Sequence, residues 1–231
     1  MELKLKGREK SKQSISLVTH YNPQEVISEQ YRLIRTNILF SSIDKEIKSI
    51  IVTSPEPSDG KSTTAANLAV VLAQQGKRVI LVDSDLRRPS LHYSFRVSNL
   101  VGLTNVLRKE ELLLDAIAQT DVSNLEVLTS GDIPPNPSEL LNTKAMEHLM
   151  KELKAMYDFV VYDTPPLIAV TDAQIIANRC DGVVMVVASG KTHKQSALRA
   201  KEMLETAKAK ILGVVLNGTE TKAADGYSKY S

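Results

Sequence analysis

SPEPSDGKSTTAAN (Ser54–Asn67) joins an apolar strand-like run, IIVT, to a helical pattern that begins at Lys61. The GKST at 60–63 matches the end of the phosphate-binding pattern G-x-x-x-x-G-K-[ST], but Pro55 stands where that pattern has its first glycine. A strand-to-helix turn of this kind points backbone N–H groups and the positive end of the helix dipole at an anion. An ordinary turn fits the pattern alone equally well, so the surrounding sequence has to separate the two interpretations.

Apolar runs rich in β-branched residues alternate with helical patterns along most of the chain. Such runs are typical of parallel strands that are covered on both faces, with the helices as crossovers. The predicted strands are Ile50–Thr53, Val79–Asp83, Leu125–Thr129, Phe159–Asp163, Val183–Ala188 and Ile211–Asn217, and the predicted helices are Glu25–Ser42, Lys61–Gln75, Lys144–Met156, Thr171–Asn178 and His193–Ala207. In the segment GDIPPNPSELL (131–141), Ser138 is predicted to cap a further helix start. The pattern predicts an α/β fold with a mostly parallel central sheet.

The chain of 231 residues, 42% of them hydrophobic, is long enough for one α/β core. We expect a flexible basic segment over residues 1–23, one domain over 24–218 and a flexible tyrosine-bearing tail over 219–231. The basic residues near the N-terminus belong either to a solvated tail or to a segment that touches an anionic membrane face or an acidic partner. They are Lys4, Lys6, Arg8, Lys10 and Lys12.

The overall charge and the cysteine content indicate the surroundings of the protein. A net charge of +2 does not suggest a nucleic-acid partner for the whole surface. Cys180 is the single cysteine, which favours a reducing cytoplasm. Since no apolar run approaches the ~20 residues that span a bilayer, we expect a chain that is soluble by itself.

Three aspartates stand at the ends of predicted strands. Asp83 and Asp85 follow VILV, and Asp163 follows FVVY. The carboxyl ends of parallel strands line one crevice, so the three carboxylates are expected around one magnesium-bound phosphate. A single aspartate there is commonly a turn former, but three of them favour the nucleotide-binding interpretation of the loop.

The combined motifs resemble those of a known family. The loop 54–63, the segment VDSDLRRP (82–89) and VYDTPP (161–166) resemble the Walker A, A′ and B motifs of the bacterial tyrosine kinases, the cytoplasmic kinases of capsule and exopolysaccharide operons. EQYRLIR resembles the oligomerisation motif E-x-x-R-x-x-R of that family, and PPNPSELL also matches. The resemblance implies a P-loop NTPase fold of the SIMIBI or MinD-like class, with three layers, and an ATP- and Mg²⁺-dependent protein-tyrosine kinase.

The resemblance also implies roles for individual residues. Lys61, Asp83 and Asp85 are expected to be catalytic, with Asp85 orienting or deprotonating the attacking tyrosine hydroxyl. Asn217 is a candidate for contacting the adenine, although an ordinary strand-ending turn residue is equally compatible with its position. The remaining expected sites are ATP binding by Ser58, Asp59, Gly60, Lys61, Ser62 and Thr63, magnesium binding by Ser62, Asp83 and Asp163, autophosphorylation at Tyr227 and Tyr230, and oligomerisation through Glu29, Arg32 and Arg35.

By the same resemblance, several partners are expected. They are a transmembrane polysaccharide co-polymerase that acts as modulator, further copies of the chain in a ring, tyrosine-bearing protein substrates and a cognate tyrosine phosphatase, with no nucleic acid. The kinase is expected at the inner face of the cell membrane, held there by its modulator.

Two departures from the family keep other functions open. Relatives often have glycine where Ser58 stands, and they often end in several tyrosines, whereas the tail DGYSKYS has two. One alternative is a ParA- or MinD-like partitioning ATPase, but those proteins have a second lysine at the position of Glu56. Another alternative is a nucleotide-binding regulator without transfer activity.

Overall fold

The computed structural model of the chain describes residues 15–41 and 46–219. Its centre is a seven-stranded sheet in the order β3-β4-β2-β5-β1-β6-β7, in which only β3 runs antiparallel to its neighbour. The strands are β1 (Ser49–Thr53), β2 (Val79–Asp83), β3 (Ile117–Gln119), β4 (Leu125–Leu128), β5 (Phe159–Asp163), β6 (Gly182–Ala188) and β7 (Ile211–Asn217). The predicted fold class is confirmed.

Helices cover both faces of this sheet. They are α1 (Val18–Tyr21), α2 (Val26–Phe40), α3 (Lys61–Ala73), α4 (Leu91–Phe95), α5 (Leu103–Leu107), α6 (Leu113–Ala116), α7 (Pro137–Leu141), α8 (Lys144–Met156), α9 (Asp172–Ala177) and α10 (Lys194–Thr206). Alternate residues of each strand point to opposite faces. Ile50 and Val52 therefore pack in the core beneath α2, α3 and α4, while Ile51 packs beneath α5 to α10.

The order of the strands places the aspartates at one edge of the sheet. β5 is hydrogen-bonded to both β1 and β2, and Asp83 is the register partner of Asp163. Strand β5 flanks the loop strand β1, whereas β2 does not, because β5 separates the two. Adjacent strand ends still bring the two carboxylates together, because the strands are parallel and in register.

Part of the predicted N-terminal segment is packed rather than flexible. Leu17 and Thr19 are buried against α3, where the Thr19 N–H and hydroxyl groups both donate to Asn67 Oδ1, at 3.0 and 2.8 Å. Residues 15–20, which were expected in the flexible basic segment, therefore pack against the fold. Residues 1–14, with the basic run, lie outside the described residues. The predicted helix Glu25–Ser42 is present as α2, with Glu25 as its N-cap, and Ser42 lies outside the described residues.

The predicted cap at Ser138 is wrong. Asn136 occupies the N-cap position of α7 and Pro137 the first helical position, which suits proline because it has no N–H to leave unpaired. The Ser138 hydroxyl instead donates to Asp172 Oδ1 at 2.7 Å. In the described parts of the chain, no helix is long and apolar enough to cross a bilayer.

Candidate active site

The loop between β1 and α3 has two left-handed residues. Ser58 has φ 65° and Gly60 has φ 96°. Gly60 is also the N-cap of α3, and no side chain of the described residues caps this helix. The first N–H groups of a helix have no acceptor within the helix, so the start of α3, with Lys61, Ser62 and Thr63, presents donors and a positive dipole end to an anion. The two prolines do not prevent this geometry, since they precede the donors.

Asp59 holds this loop from within. Its side chain is fully buried, and Oδ2 accepts the Glu56 N–H at 2.9 Å. Its Oδ1 accepts the Thr192 hydroxyl at 2.8 Å. Asp59 thus joins the loop to the segment between β6 and α10. These contacts occupy both of its carboxylate oxygens. Binding of ATP by its backbone N–H group stays a prediction.

Two further side chains contact the backbone of the loop. Lys191 Nζ donates to the Ser58 carbonyl at 2.9 Å. The Asn217 amide donates to the Asp59 carbonyl at 3.0 Å, and a Cβ at Gly60 would lie 2.1 Å from Asn217 Nδ2. The structure therefore places Asn217 against the loop itself, and an adenine contact stays a prediction. Sequence reasoning missed Lys191 and Thr192 because SGKTHK carries no pattern that indicates this contact.

Lys61 lies between the carboxylates that the sequence analysis selected. Its Nζ is 2.9 Å from Asp85 Oδ2, 3.6 Å from Asp163 Oδ1 and 3.0 Å from Ser62 Oγ. Burial lowers the pKa of Lys61, but the charges of Asp163 and Asp85 outweigh burial and raise the pKa above its ordinary value. The amino group is therefore a fixed cation at the start of α3.

The two strand-end aspartates are buried with oxygens that lack donors. Asp83 Oδ2 accepts the N–H groups of Ser90 and Leu91, at 3.0 and 3.1 Å. Among the described residues, Asp83 Oδ1 and both carboxylate oxygens of Asp163 have no hydrogen-bond partner. Burial and the neighbouring Asp163 charge raise the pKa of Asp83 to about 8. Burial likewise raises the pKa of Asp163, although the Lys61 charge opposes this.

Buried oxygens without donors fit a cation. In the parts of the chain that the structure describes, no group of three or more His, Cys, Asp or Glu side chains is arranged to hold a metal by itself. Mg²⁺ needs no such group, because one or two carboxylates, substrate phosphates and water usually complete its shell. Ser62, Asp83 and Asp163 are thus suited to Mg²⁺ in the presence of a nucleotide.

The predicted oligomerisation residues all lie on α2. Arg32 pairs with Glu29 and donates to the Pro23 carbonyl at 2.7 Å. Arg35 donates to the Val71 carbonyl of α3 at 2.8 Å, so it contacts its own subunit. The local ion pair that spacing alone suggests is present, and the contact with a neighbouring subunit stays a prediction. Tyr227 and Tyr230 lie outside the described residues.

The comparisons with known proteins agree with this geometry. Residues 47–209 match the family model of an AAA domain. The chain is 50% identical over 220 residues to the tyrosine-protein kinase YwqD of Bacillus subtilis, covering 95% of this chain and 93% of that protein. It is 42% identical over 222 residues to the putative tyrosine-protein kinase CapB of Staphylococcus aureus, covering 96% and 97% of the two chains.

Solved structures give the same result. The kinase domain of the Escherichia coli tyrosine kinase ETK superposes with a TM-score of 0.87 at 33% identity, covering 95% of this chain and 86% of that one. The septum site-determining protein MinD of Pyrococcus horikoshii, solved with Mg-ADP, has a TM-score of 0.63 at 26% identity, covering 73% and 69%. The fold is thus that of nucleotide-binding P-loop proteins, and the ETK kinase domain matches more of the chain than this MinD structure does.

Proposed function

The chain belongs to the bacterial tyrosine kinases and is a protein-tyrosine kinase; from that premise we propose that it transfers the γ-phosphoryl group of ATP to tyrosines of proteins, including Tyr227 and Tyr230 of its own C-terminal tail. The observation that supports this most directly is Lys61, held at the start of α3 between Asp85 and Asp163. In phosphoryl transfer, positioning and neutralisation of charge supply most of the catalysis. A buried lysine beside helix N–H groups provides both.

The residues divide into a phosphate side and an acceptor side. Lys61 and the N–H groups at the start of α3 bind the phosphates, and Ser62, Asp83 and Asp163 hold Mg²⁺, which neutralises charge on the phosphates when it is bound. Asp85 lies on the acceptor side. When Lys61 engages the phosphates, Asp85 Oδ2 loses the partner that lies 2.9 Å away and becomes free for the tyrosine hydroxyl.

The transfer forms one bond to phosphorus and breaks another. The tyrosine oxygen forms a bond to the γ-phosphorus while the bond from that phosphorus to the β–γ bridging oxygen breaks. ADP leaves with the bond electrons, and the hydroxyl proton passes to the Asp85 carboxylate. Such a base is useful because a tyrosine hydroxyl, with an ordinary pKa of about 10, is protonated at neutral pH.

The family also supports a cellular setting for this activity. We place the kinase at the inner face of the membrane, bound to a transmembrane modulator of polysaccharide synthesis and assembled into a ring, with a cognate phosphatase that reverses the modification. Capsule or exopolysaccharide synthesis is the process that it would regulate.

The test is formation of phosphotyrosine from ATP and Mg²⁺, with and without a candidate modulator tail. Lys61→Met should weaken nucleotide binding and abolish transfer, whereas Asp85→Asn should keep nucleotide affinity and lower transfer by ~10² to 10⁴-fold. Lys154→Met is the matched control, because Lys154 pairs with Asp181 near the start of β6, the opposite end from the proposed site. ATP hydrolysis without any phosphotyrosine would instead support a partitioning or regulatory ATPase.

A further inference from the structure

Asp172 is a fully buried carboxylate that receives three hydrogen bonds from two other elements. Arg87 binds it through both oxygens, with Nε 2.9 Å from Oδ2 and Nη2 3.1 Å from Oδ1. The Ser138 hydroxyl donates to Oδ1 at 2.7 Å, and Arg87 Nη2 also lies 3.0 Å from Ser138 Oγ. The three side chains form one closed network.

This network joins the loop that carries Asp85 to two helices. Arg87 belongs to the loop between β2 and α4, two residues after Asp85. Ser138 belongs to α7, in the PPNPSELL segment, and Asp172 begins α9, which follows the strand that ends at Asp163. The sequence motifs included Arg87, in the segment 82–89, without a role of its own, and Ser138 of PPNPSELL only as a predicted helix cap. Asp172 was missed because a helix-starting aspartate gives no sign of burial.

The loop that carries Asp85 is fixed at several points. At its far end, the N–H groups of Ser90 and Leu91 donate to Asp83. In its middle, the Arg88 N–H donates to Asp85 Oδ1 at 3.0 Å. The Arg87 side chain adds a further point, because it ties the loop to α9 through Asp172 and to α7 through Ser138. Its orientation therefore bears on where Asp85 lies.

The form of the contact favours a positional role. Asp172 is fully buried, whereas the Arg87 side chain is 38% exposed. Such a pair is weak evidence for stability, because removing the carboxylate from water opposes its attraction to the guanidinium. A bidentate arginine–carboxylate contact does fix the orientation of both side chains, since the planar guanidinium matches the carboxylate in one geometry. Ser138 adds a third point that fixes α7 beside the same carboxylate.

We propose that Asp172 is a positioning residue for phosphoryl transfer, which holds Arg87 and Ser138 so that Asp85 stays aligned with the acceptor tyrosine. Asp172 acts through Arg87 and does not contact the reacting atoms. The proposal rests on the proposed function, in which Asp85 receives the tyrosine proton.

The test compares Asp172→Asn with the wild-type chain in transfer and in nucleotide binding. Because a displacement of about 1 Å at a reacting group can cost ~10²-fold in rate, kcat for tyrosine transfer should fall by roughly 10- to 100-fold while the Kd for Mg·ATP stays within about twofold. Arg87→Lys, which keeps the charge but loses the two-pronged contact, should give a similar loss. The losses of the two single variants should not add in the double variant, because both break the same contact.

Asp181→Asn is the matched control. It also removes a carboxylate that pairs with a basic side chain, but beside the start of β6, at the other end of the sheet from Asp85. It should leave transfer per folded molecule unchanged. If Asp172→Asn fails to fold, Arg87→Lys and Ser138→Ala carry the same test.

The outcomes separate the two proposals. Folded Asp172→Asn, or Arg87→Lys and Ser138→Ala in its place, with wild-type kcat would overturn the positioning role, and so would an equal loss of nucleotide affinity and transfer. A wild-type chain that binds nucleotide but forms no phosphotyrosine under any condition would instead refute the proposed function.

Discussion

Ser58 and Gly60 show how single residues shape the phosphate loop. A left-handed backbone costs a non-glycine residue about 1 kcal/mol or more, and Ser58 adopts it at φ 65°. The Lys191 amino group donates a hydrogen bond to the carbonyl of this strained residue at 2.9 Å. The position where relatives often have glycine is thus one where glycine would fit without strain, and the serine is held there by a contact from outside the loop.

Thr192 gives a prediction at this scale. Thr192→Val keeps the shape of the side chain but removes the donor to Asp59 Oδ1, so the buried carboxylate loses one of its two partners. It also removes the hydroxyl oxygen that accepts the Ala188 N–H at 2.8 Å, which loosens the segment after β6 that holds the loop. Hydrogen bonds to charged groups contribute ~1.5 to 3 kcal/mol, and a loop that visits other conformations binds more weakly. We expect nucleotide affinity to fall by about tenfold, measured by calorimetric titration.

Two further variants are the controls for Thr192→Val. Thr192→Ser should restore affinity, since it restores the hydroxyl. Thr206→Val removes a hydroxyl that bonds only within its own helix, to the Glu202 carbonyl, and should change nothing. Unchanged affinity in folded Thr192→Val would show that the loop keeps its shape without this contact.

The site residues that were predictable from sequence are charged side chains at the ends of predicted strands or in the phosphate-loop pattern. Asp83 and Asp163 end apolar runs, and Lys61 ends the phosphate-loop pattern that follows another apolar run, so the parallel-sheet pattern brings all three to one edge of the sheet. Asp172 and Thr192 were not predictable, because their partners are distant in sequence: Arg87 and Ser138 lie 85 and 34 positions from Asp172, and Asp59 lies 133 positions from Thr192. Contacts at such separations leave no local pattern.

At the scale of elements, α3 explains what pattern reading can and cannot find. Every residue from Thr64 to Ala73 is buried, and the all-round apolar sequence already indicates a buried helix. What covers its outer side was not predictable. The segment that covers it, residues 15–20, is too short to show a helical or strand period. It packs there through the buried Leu17 and through Asn67, which accepts from Thr19 and donates to the Ser16 carbonyl. Strand β3 was missed for a similar reason, since three residues are too few to show alternation.

Asp181 gives a prediction about pH at the junction of α8, β1 and β6. It accepts from Lys154 and from the backbone N–H groups of Ser49 and Lys48. Burial raises the pKa of Asp181, but these donors outweigh burial and lower it from 3.8 to about 2. A lowered acid pKa stabilises the fold above the unfolded value, and this stabilisation is lost as the pH falls through the folded value.

The measurement is the free energy of unfolding in urea as a function of pH, for the wild type and Asp181→Asn. At pH 7 the variant should be less stable by roughly 1 kcal/mol, the upper range for a partly exposed ion pair. The difference should shrink as the pH falls from about 4 toward 2. A difference that stays constant over this interval would mean that the charge of Asp181 contributes nothing.

For the whole molecule, the main question is how the tail meets an active site. Asn217 ends β7 against the phosphate loop, so the chain leaves the described fold close to its own site. Helix α2 carries Glu29, whose side chain is 68% exposed, on the outside of the fold. We propose that α2 joins neighbouring subunits and that the tail of one subunit enters the site of the next.

Mixing two complementary chains, one without an active site and one without tail tyrosines, tests this assembly. One chain carries Lys61→Met with an intact tail, and the other carries Tyr227→Phe and Tyr230→Phe with an intact site. Phosphotyrosine on the first chain can only arise in trans. Assembly raises the effective concentration of a tail to the millimolar range, against micromolar free chains, so changing Glu29, Arg32 and Arg35 to alanine in both chains should lower this transfer by roughly 10²-fold while nucleotide affinity is kept.

The control has to account for Arg35, which bonds to Val71 within its own subunit. Arg35→Ala alone reports the cost of that internal contact, whereas Glu29→Lys reverses an exposed charge and leaves the Arg35 contact in place. Light scattering should show assemblies for the wild type and monomers for the triple variant and for Glu29→Lys. If Glu29→Lys assembles and transfers normally while Arg35→Ala does not, the motif acts by holding α2 on α3 and the contact between subunits lies elsewhere. A wild-type chain that is monomeric at high concentration yet phosphorylates its own tail would exclude transfer between assembled subunits. Transfer within one subunit would then be the explanation, since Asn217 places the start of the tail near its own phosphate loop.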